Sequence, residues 1–320
     1  MEPKTICMIG GTGFVGIHLA NRLGAAGYRV RVLVRRRQLG RDLLVVPTLR
    51  LIEADVHDER ELVRHFDGCH AVVNLAGILN ELGGPPGDAF RHVHVDLPRR
   101  IVSACRRAGV PRYLHMSALG ADPDGPSLYQ QTKGEGERAV LEADPARVAV
   151  TAFRPSVIFG PGDNFLNRFA TLLKLSPGLF FLPTPEARFQ PVYVGDVAGA
   201  FMRGLDDAST RGQSIELCGP QVYTLRDLVE YVAELRGLRR RVIGLSDRMS
   251  QLQGRIFQRL PGRPYTLDNY RSATVPNCCS EDGLARLGIV PTPLEAVAPT
   301  YLGFAGRQDH YQDSRRTAGR

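Results

Sequence analysis

Three side chains in the middle of the sequence have residue types and spacing that suit proton transfer. Tyr129 and Lys133 are four residues apart in a helix predicted over 128–143, so their side chains lie on one face. A tyrosine phenol has an ordinary pKa of about 10, which a neighbouring ammonium lowers by stabilising the phenolate. Tyr129 can then act as acid or base on a carbonyl or hydroxyl, with Ser117 polarising the same oxygen from a strand end. The alternative is an exposed helix pair without a function.

A glycine-rich loop near the start of the chain favours the chemical interpretation. Residues 10–16 read Gly-Gly-Thr-Gly-Phe-Val-Gly and directly follow the apolar run 5–9. Gly10 permits a tight turn, Gly13 lets backbone N–H groups approach a pyrophosphate, and Gly16 lets the next helix pack on the strand. An ordinary strand-to-helix turn is the alternative. The loop residues predicted to bind a dinucleotide are Gly10, Thr12, Gly13, Phe14, Val15 and Gly16.

The end of the second predicted strand indicates which dinucleotide binds. The strand ends in Val34-Arg35-Arg36, without the carboxylate that holds the ribose 2′-hydroxyl in many NAD sites. An arginine suits the 2′-phosphate of NADP through charge-assisted hydrogen bonds. Arg35 therefore predicts NADPH or NADP as the cofactor, with NAD less favoured. A solvated basic turn is the alternative.

Two further strand ends are predicted to meet the adenosine half of the cofactor. Asp55 and Val56 follow the third strand, and the sequence Asn-Leu-Ala-Gly over 74–77 ends the fourth. Asp55 can accept a hydrogen bond from adenine or cap the next helix. The predicted contacts in the second segment are Leu75, Ala76 and Gly77.

The elements that position these residues alternate along the first half of the chain. Short apolar runs joined by helices predict an α/β fold, a doubly wound parallel Rossmann sheet with ligands beyond the carboxyl ends of its strands. We predict an NADP-binding Rossmann domain over 1–160 with a returning segment near 190–217, a smaller substrate lobe mainly over 161–302, and a disordered tail over 303–320. The predicted strands are 5–9, 29–34, 49–53, 71–75, 112–116 and 148–154, and the predicted helices are 59–66, 89–108 and 128–143.

Composition narrows the class of protein. The chain has 320 residues and a net charge of +8, but no nucleic-acid-binding motif accompanies that charge, so we expect no nucleic-acid partner. The six cysteines lack metal-ligand spacing, which predicts no metal site and reduced thiols in the cytoplasm, with Cys278-Cys279 as a redox-active alternative. We expect no transmembrane helix and, because strand one begins at once, no signal peptide.

An amphipathic pattern over 246–260 suits a helix that lies on the inner face of a membrane. Its alternatives are a cover for the substrate pocket and a helix packed on its own lobe with a solvated basic face. Nearby, Phe180-Phe181-Leu182 can line an apolar pocket or belong to the core. Both features suit a lipophilic substrate. The pattern consists of Met249, Leu252, Ile256 and Leu260 on one face and Arg248, Arg255 and Arg259 on another.

Taken together, the motifs resemble the extended and atypical branches of the short-chain dehydrogenase/reductase superfamily. Within it the chain is most similar to bacterial relatives of the NADPH-binding accessory subunit of respiratory complex I, to which Arg35 and the segment 260–268 point. The matching segments are 10–16, 55–56, 74–77, 115–120 (His-Met-Ser-Ala-Leu-Gly), 129–133 (Tyr-Gln-Gln-Thr-Lys), 154–162 (Arg-Pro-Ser-Val-Ile-Phe-Gly-Pro-Gly) and 192–196 (Val-Tyr-Val-Gly-Asp).

The resemblance implies roles for individual residues. It implies that Ser117, Tyr129 and Lys133 are catalytic, that Lys133 also holds the nicotinamide ribose, and that Pro155 and Val157 contact the cofactor. One departure is that active members often carry an asparagine in the helix before strand five, where this chain has His94.

Three functions follow from this reading. The first is an NADP(H)-dependent oxidoreductase acting on an unidentified, lipophilic or quinone-related substrate. The second is a non-catalytic NADPH-binding protein that assembles with respiratory or quinone-pathway proteins. The third, a nucleotide-sugar epimerase or dehydratase, is less favoured because strand two ends in arginine.

Overall fold

The computed structural model describes residues 3–81, 84–260 and 263–303. In chain order the strands are β1 Thr5–Ile9, β2 Arg29–Val34, β3 Leu49–Glu53, β4 Ala71–Asn74, β5 Arg112–Met116, β6 Ala149–Pro155, β7 Ile158–Phe159, β8 Leu179–Leu182, β9 Arg188–Phe189, β10 Val192–Tyr193, β11 Gln213–Leu217, β12 Tyr223–Thr224 and β13 Arg241–Gly244. The helices are α1 Phe14–Ala25, α2 Glu59–Phe66, α3 Asp88–Arg91, α4 Leu97–Ala108, α5 Leu128–Leu141, α6 Leu166–Leu175, α7 Val194–Asp206, α8 Leu225–Leu235, α9 Asp247–Phe257, α10 Leu267–Ser272, α11 Gly283–Arg286 and α12 Leu294–Leu302.

Seven parallel strands form the central sheet in the order β11-β6-β5-β4-β1-β2-β3. Helices α1 and α7 pack together on one face, and α2, α4 and α5 cover the other. The predicted doubly wound α/β fold is confirmed. Strand order reverses between β1 and β4, so a crevice opens where the glycine loop leaves β1 and residues 74–77 leave β4.

The predicted elements of the first half agree closely with the structure. Strands β1, β2, β3 and β5 and helix α2 have the predicted bounds, while β4, β6 and α5 differ by one or two residues at their ends. The helix predicted over 89–108 is α3 and α4 joined by a π-helical turn over His92–Asp96. Apolar periodicity did not reveal this bulge because all three segments remain helical.

The segment near 190–217, predicted to return to the first domain, contains two strands. The first is β10, which pairs with β7 outside the central sheet. The chain then forms α7, and β11 supplies the seventh central strand by pairing with β6.

The second lobe has an apolar core of its own, built mainly from α6, α8 and α12. Thr224 caps α8 by accepting a hydrogen bond from the Asp227 N–H. In β8, Leu182 is buried and Phe180 is partly buried in this core, whereas Phe181 is exposed. The domain boundary at residue 160 stays a prediction, and the predicted tail lies, apart from Gly303, outside the described residues.

The expectation of six reduced cysteines is wrong. Cys218 and Cys279 form a disulfide with a Cα–Cα distance of 6.0 Å. Residues 277–283 run beside the end of β11, where the Ser280 N–H donates to Glu216 Oε2 at 2.6 Å, and this contact brings the two cysteines together. Sixty-one residues separate the cysteines, so their spacing did not reveal the pair. Cys278, the neighbour of Cys279, is free and partly exposed.

Two absences apply to the described part of the chain. No group of three or more His, Cys, Asp and Glu side chains there could hold a metal ion. No helix there is long and apolar enough to cross a membrane.

Candidate active site

The glycine loop closes tightly against the end of β4. Gly10 has φ +77°, and a Cβ there would lie 2.8 Å from the Ala76 backbone nitrogen. A Cβ at Gly16 would lie 2.5 Å from the Gly10 carbonyl oxygen, so only glycine lets α1 start so close to β1. The loop residues and the residues 75–77 predicted to bind the cofactor thus meet at one edge.

The first turn of α1 is open to an anion. No side chain caps the helix at Gly13, and its first turn carries no acidic residue. Uncapped N–H groups and the positive end of the helix macrodipole favour a phosphate at such a position. This is the feature of the loop that best fits a pyrophosphate.

The neighbouring strand ends differ in how far their side chains are engaged. Arg35 is exposed after β2, and Arg37 is also exposed but donates through Nη2 to the Leu51 carbonyl at 3.1 Å. Asp55 accepts from the His57 N–H at 2.9 Å. The cap of α2 is Asp58, not Asp55, which removes the capping alternative for Asp55. The adenine contact of Asp55 and the contact of Val56 stay predictions.

A buried asparagine shapes the end of β4. Asn74 Oδ1 accepts from the Ala76 N–H at 3.0 Å, and its amide donates to the Tyr113 hydroxyl at 3.2 Å. Across the sheet, the Pro155 carbonyl accepts from the Leu119 N–H at 2.9 Å, and the Val157 N–H donates to Asn277 Oδ1 at 3.2 Å. These bonds hold two predicted cofactor-binding segments, 75–77 and 155–157, at the carboxyl ends of β4 and β6.

The Tyr129–Lys133 pair lies on the inner face of α5. The pKa of Tyr129 is not lowered by a neighbouring ammonium, as expected, but raised by burial to about 12. Burial lowers the pKa of Lys133 to about 8, opposed by the negative charge of Glu137. Lys133 Nζ donates to the Met116 carbonyl at 2.6 Å, at the end of β5. At neutral pH the phenol therefore carries its proton beside a lysine that can lose one.

Ser117 follows the residue whose carbonyl binds Lys133, but its hydroxyl bonds elsewhere. It is buried, and its hydroxyl donates to Glu137, whose carboxylate also accepts from Arg154 and Ser214. The structure therefore shows Ser117 in a buried polar network rather than hydrogen-bonded to Tyr129. Its predicted role as the polarising group stays a prediction.

His94 connects the end of β4 to α5. Its Nε2 accepts from the Ile78 N–H at 3.1 Å, so a neutral ring carries its proton on Nδ1 and donates to Thr132 Oγ1 at 3.1 Å. Burial and the charge of Lys133 lower the pKa of His94 to about 2, which keeps the ring neutral. The ring also packs edge-on against Tyr129, with 5.5 Å between centroids. His94 thus joins the cofactor edge to the tyrosine.

A scan against family profiles matches residues 6–218 with the NAD dependent epimerase/dehydratase family. The chain belongs to this family. It is 30% identical over 306 residues to NADH dehydrogenase (ubiquinone) 1 alpha subcomplex subunit 9, mitochondrial, of Mus musculus, covering 90% of this chain and 77% of the mouse protein. This confirms the expected similarity to a complex I subunit.

This epimerase/dehydratase family member is also similar to a bacterial reductase and to a solved structure. It is 32% identical over 252 residues to ceramide reductase of Caulobacter vibrioides, covering 76% of this chain and 74% of that protein. The fold matches MoeE5, solved in complex with UDP-glucuronic acid and NAD, with a TM-score of 0.71, 22% identity and coverage of 93% and 97%. The last comparison supports the fold alone.

One contact between the two lobes of this family member has no signal in the sequence. Asp268, at the start of α10, accepts hydrogen bonds from the backbone N–H groups of Leu128 and Tyr129. Thr266 and Asn269 form a capping box that predicts where α10 begins, but no pattern along the chain shows that α10 meets α5. The C-terminal lobe therefore caps the helix that carries the candidate acid.

Proposed function

We propose that this chain is an NADP(H)-dependent oxidoreductase that reduces or forms a carbonyl group on a lipophilic substrate. The observation that carries the proposal is the position of Tyr129 and Lys133 one turn apart on α5, with Lys133 bonded to the Met116 carbonyl at the carboxyl end of β5. With its pKa raised to about 12, Tyr129 holds a proton at neutral pH and can donate it to a carbonyl oxygen. In the reverse direction the same side chain would accept the proton of a hydroxyl group.

The loop and strand ends fit a dinucleotide. The space beside Gly10 and Gly16 admits no side chain, and the first turn of α1 offers free N–H groups to a pyrophosphate. Arg35, exposed after β2, supports NADPH over NADH, because its guanidinium suits a 2′-phosphate. When bound, the nicotinamide would supply the hydride. Arg35 also argues against the sugar epimerase or dehydratase reading.

The residues of the chain would divide the remaining work. Lys133 would hold the nicotinamide ribose and stabilise a developing phenolate on Tyr129. His94, neutral and fixed on both nitrogens, would keep α5 at a set distance from the end of β4. Ser117 would polarise the substrate oxygen only after its bond to Glu137 opened.

A lipophilic substrate agrees with the similarity to a ceramide reductase and with the apolar residues that the second lobe exposes. Quinone-related and isoprenoid carbonyl compounds belong to the same class. Such substrates reside in bilayers, so we propose that the protein works as a peripheral protein at a membrane surface.

The test compares the wild type with Tyr129→Phe. NADPH affinity, measured by the fluorescence of the bound nicotinamide, should be unchanged, because the phenol oxygen contacts the substrate. NADPH oxidation with detergent-dispersed long-chain ketones and quinones should fall by about 10²–10⁴-fold. Equal turnover by the two proteins would refute the role of Tyr129, and failure of both to bind NADPH would refute the cofactor.

A second candidate function is a non-catalytic NADPH-binding protein that supports respiratory or quinone-pathway proteins. The bond between Ser117 and Glu137 and the similarity to the mouse NADH dehydrogenase subunit favour it. On this reading, Tyr129→Phe should leave the cellular phenotype of the wild type intact, whereas a variant unable to bind NADPH should lose it.

A further inference from the structure

Helix α9 turns apolar side chains toward solvent. The two buried positions of the helix, Ser250 and Gly254, are small, and Ser250 Oγ accepts from the Thr184 N–H at 3.1 Å. This is the reverse of an ordinary lobe helix, which packs its large apolar residues inward. Helix α9 thus packs on its lobe and leaves its basic face in solvent, as one of the alternatives predicted, but with Phe257 only partly buried it leaves the other large apolar residues half-exposed as well. The exposed residues, here called the α9 stripe, are Met249, Leu252, Ile256 and Leu260, each between 46% and 50% exposed.

Three arginines flank the α9 stripe along one edge. Arg248, Arg255 and Arg259 are all exposed. At 3.6 residues per turn, Arg248 and Arg255 lie roughly a quarter of a turn around the axis of α9 from the stripe, on the side away from the buried positions, and Arg259 follows in the turn after Phe257, where the helix ends. The arginines thus form a row parallel to the stripe instead of interrupting it.

No acidic side chain of the segment neutralises this row. The sequence 248–260 contains neither Asp nor Glu. The one carboxylate of α9, Asp247, accepts a hydrogen bond from the Tyr270 hydroxyl and another from Gln251 Nε2 at 3.0 Å. Within residues 247–260 the surface therefore presents three positive charges beside the apolar stripe, and the carboxylate of this segment is bonded to Tyr270 and Gln251 instead.

From this arrangement we propose that the α9 stripe and its arginine row seat the protein on an anionic lipid bilayer. The stripe enters the boundary between headgroups and acyl chains, and the arginines lie at headgroup height. A bilayer fits this surface better than an acidic protein partner does, because a bilayer requires only that the apolar side chains lie deeper than the positive charges. The inference does not depend on the proposed oxidoreductase activity.

The position of α9 connects the bilayer to the candidate active site. Gln251 Nε2 donates to the Tyr270 hydroxyl at 3.1 Å, which links α9 to α10. Asp268 of α10 in turn caps α5 at Leu128 and Tyr129. Just after the stripe, the Arg263 guanidinium donates to the Glu81 carbonyl, in the segment that follows β4. With α9 on the bilayer, only the short helix α10 would lie between α9 and the start of α5, which carries Tyr129.

Sedimentation with vesicles tests the proposal on the full chain. Wild-type protein should pellet with vesicles that contain phosphatidylglycerol and remain in solution with pure phosphatidylcholine vesicles. Arg248→Gln/Arg255→Gln/Arg259→Gln should weaken binding to the anionic vesicles on the order of 100-fold, and Leu252→Ser/Ile256→Ser should weaken it at least about tenfold.

Matched variants control for net charge and general apolar exposure. Arg60→Gln/Arg99→Gln/Arg138→Gln removes the same charge from exposed positions of α2, α4 and α5. Val45→Ser/Val290→Ser removes two exposed apolar side chains elsewhere. Both should pellet like the wild type, and circular dichroism should report folded protein throughout.

Two results would overturn the proposal. The first is a wild-type protein that stays in solution with anionic vesicles, or α9 variants that pellet as well as it does. The second is a concentration-dependent dimer in light scattering that the α9 variants abolish, because that assigns the surface to a second copy of the chain.

Discussion

The carboxylate of Asp268 caps the helix of Tyr129 from another lobe, at 2.7 Å from the Leu128 nitrogen and 3.2 Å from the Tyr129 nitrogen. Its negative charge lies at the positive end of α5, where a carboxylate is stabilising. Burial raises the pKa of Asp268, while the two backbone hydrogen bonds lower it. The lobe that would hold the substrate thus fixes the backbone of the candidate acid.

Replacing Asp268 by Ala should lower both stability and turnover. Loss of the cap should cost about 1 kcal/mol of unfolding free energy, measured by urea denaturation. Because Tyr129 would lose its anchor, kcat should fall while NADPH affinity stays unchanged. Asp282→Ala is the control, since Asp282 caps α11 through the Ala285 N–H. It should show a comparable loss of stability without the loss of kcat. Equal kcat in both variants would contradict a positioning role for Asp268.

Turnover in the reductive direction should decline as the pH rises through about 8. Burial lowers the pKa of Lys133 to about 8, so its ammonium loses its proton there and can no longer stabilise a phenolate on Tyr129. The pH profile of kcat measures this. Lys133→Arg keeps its charge and should move the alkaline limb to higher pH, whereas an unmoved limb would assign the titration to another group.

The lowered pKa of Lys133 also predicts how the free energy of unfolding depends on pH. The folded-state pKa of Lys133 lies below the ordinary value of 10.5, so the unfolded chain binds more protons between about 8 and 10.5. The contribution of Lys133 to the free energy of unfolding should therefore increase as the pH rises from about 8 to about 10.5. Denaturation curves of Lys133→Met should lack that contribution, and identical slopes in the two proteins would contradict the shift.

Arg35 should determine the preference for NADPH. Charge-assisted hydrogen bonds contribute about 1.5–3 kcal/mol, so Arg35→Ala should weaken NADPH binding by roughly 10–100-fold and leave NADH binding nearly unchanged. Fluorescence titration with both nucleotides measures this ratio. Arg50→Ala removes an exposed charge from β3 and should not change it. A parallel loss of affinity for both nucleotides would place Arg35 outside the 2′-phosphate site.

The disulfide predicts a measurable dependence on reductant. Peptide mapping without reductant should recover Cys218 linked to Cys279, with Cys278 free to alkylate. Cys218→Ser should lower the unfolding free energy by about 2–4 kcal/mol under oxidising conditions. Cys278→Ser is the matched control and should leave it unchanged. Recovery of both thiols in the oxidised protein would restore the expectation of reduced cysteines.

Local pattern was enough for the first half of the fold and for much of the candidate site. Glycine spacing, strand runs and the interval from Tyr129 to Lys133 are local properties, because turn geometry and the two periodicities act over a few residues. The parallel sheet then brings the strand ends to one edge, which is why residues far apart in the chain could be assigned to one cleft.

Only the tertiary structure decided which distant groups meet. The bond of Ser117 to Glu137, the link from His94 to Ile78, the cap of Asp268 on α5 and the pairing of Cys218 with Cys279 join separate elements, and no periodicity encodes them. The same holds for α9: its amphipathic pattern was visible in the sequence, but the direction in which the apolar face turns depends on what it packs against. The small residues Ser250 and Gly254 settle this, because they let the opposite face approach the lobe and leave the apolar side chains in solvent.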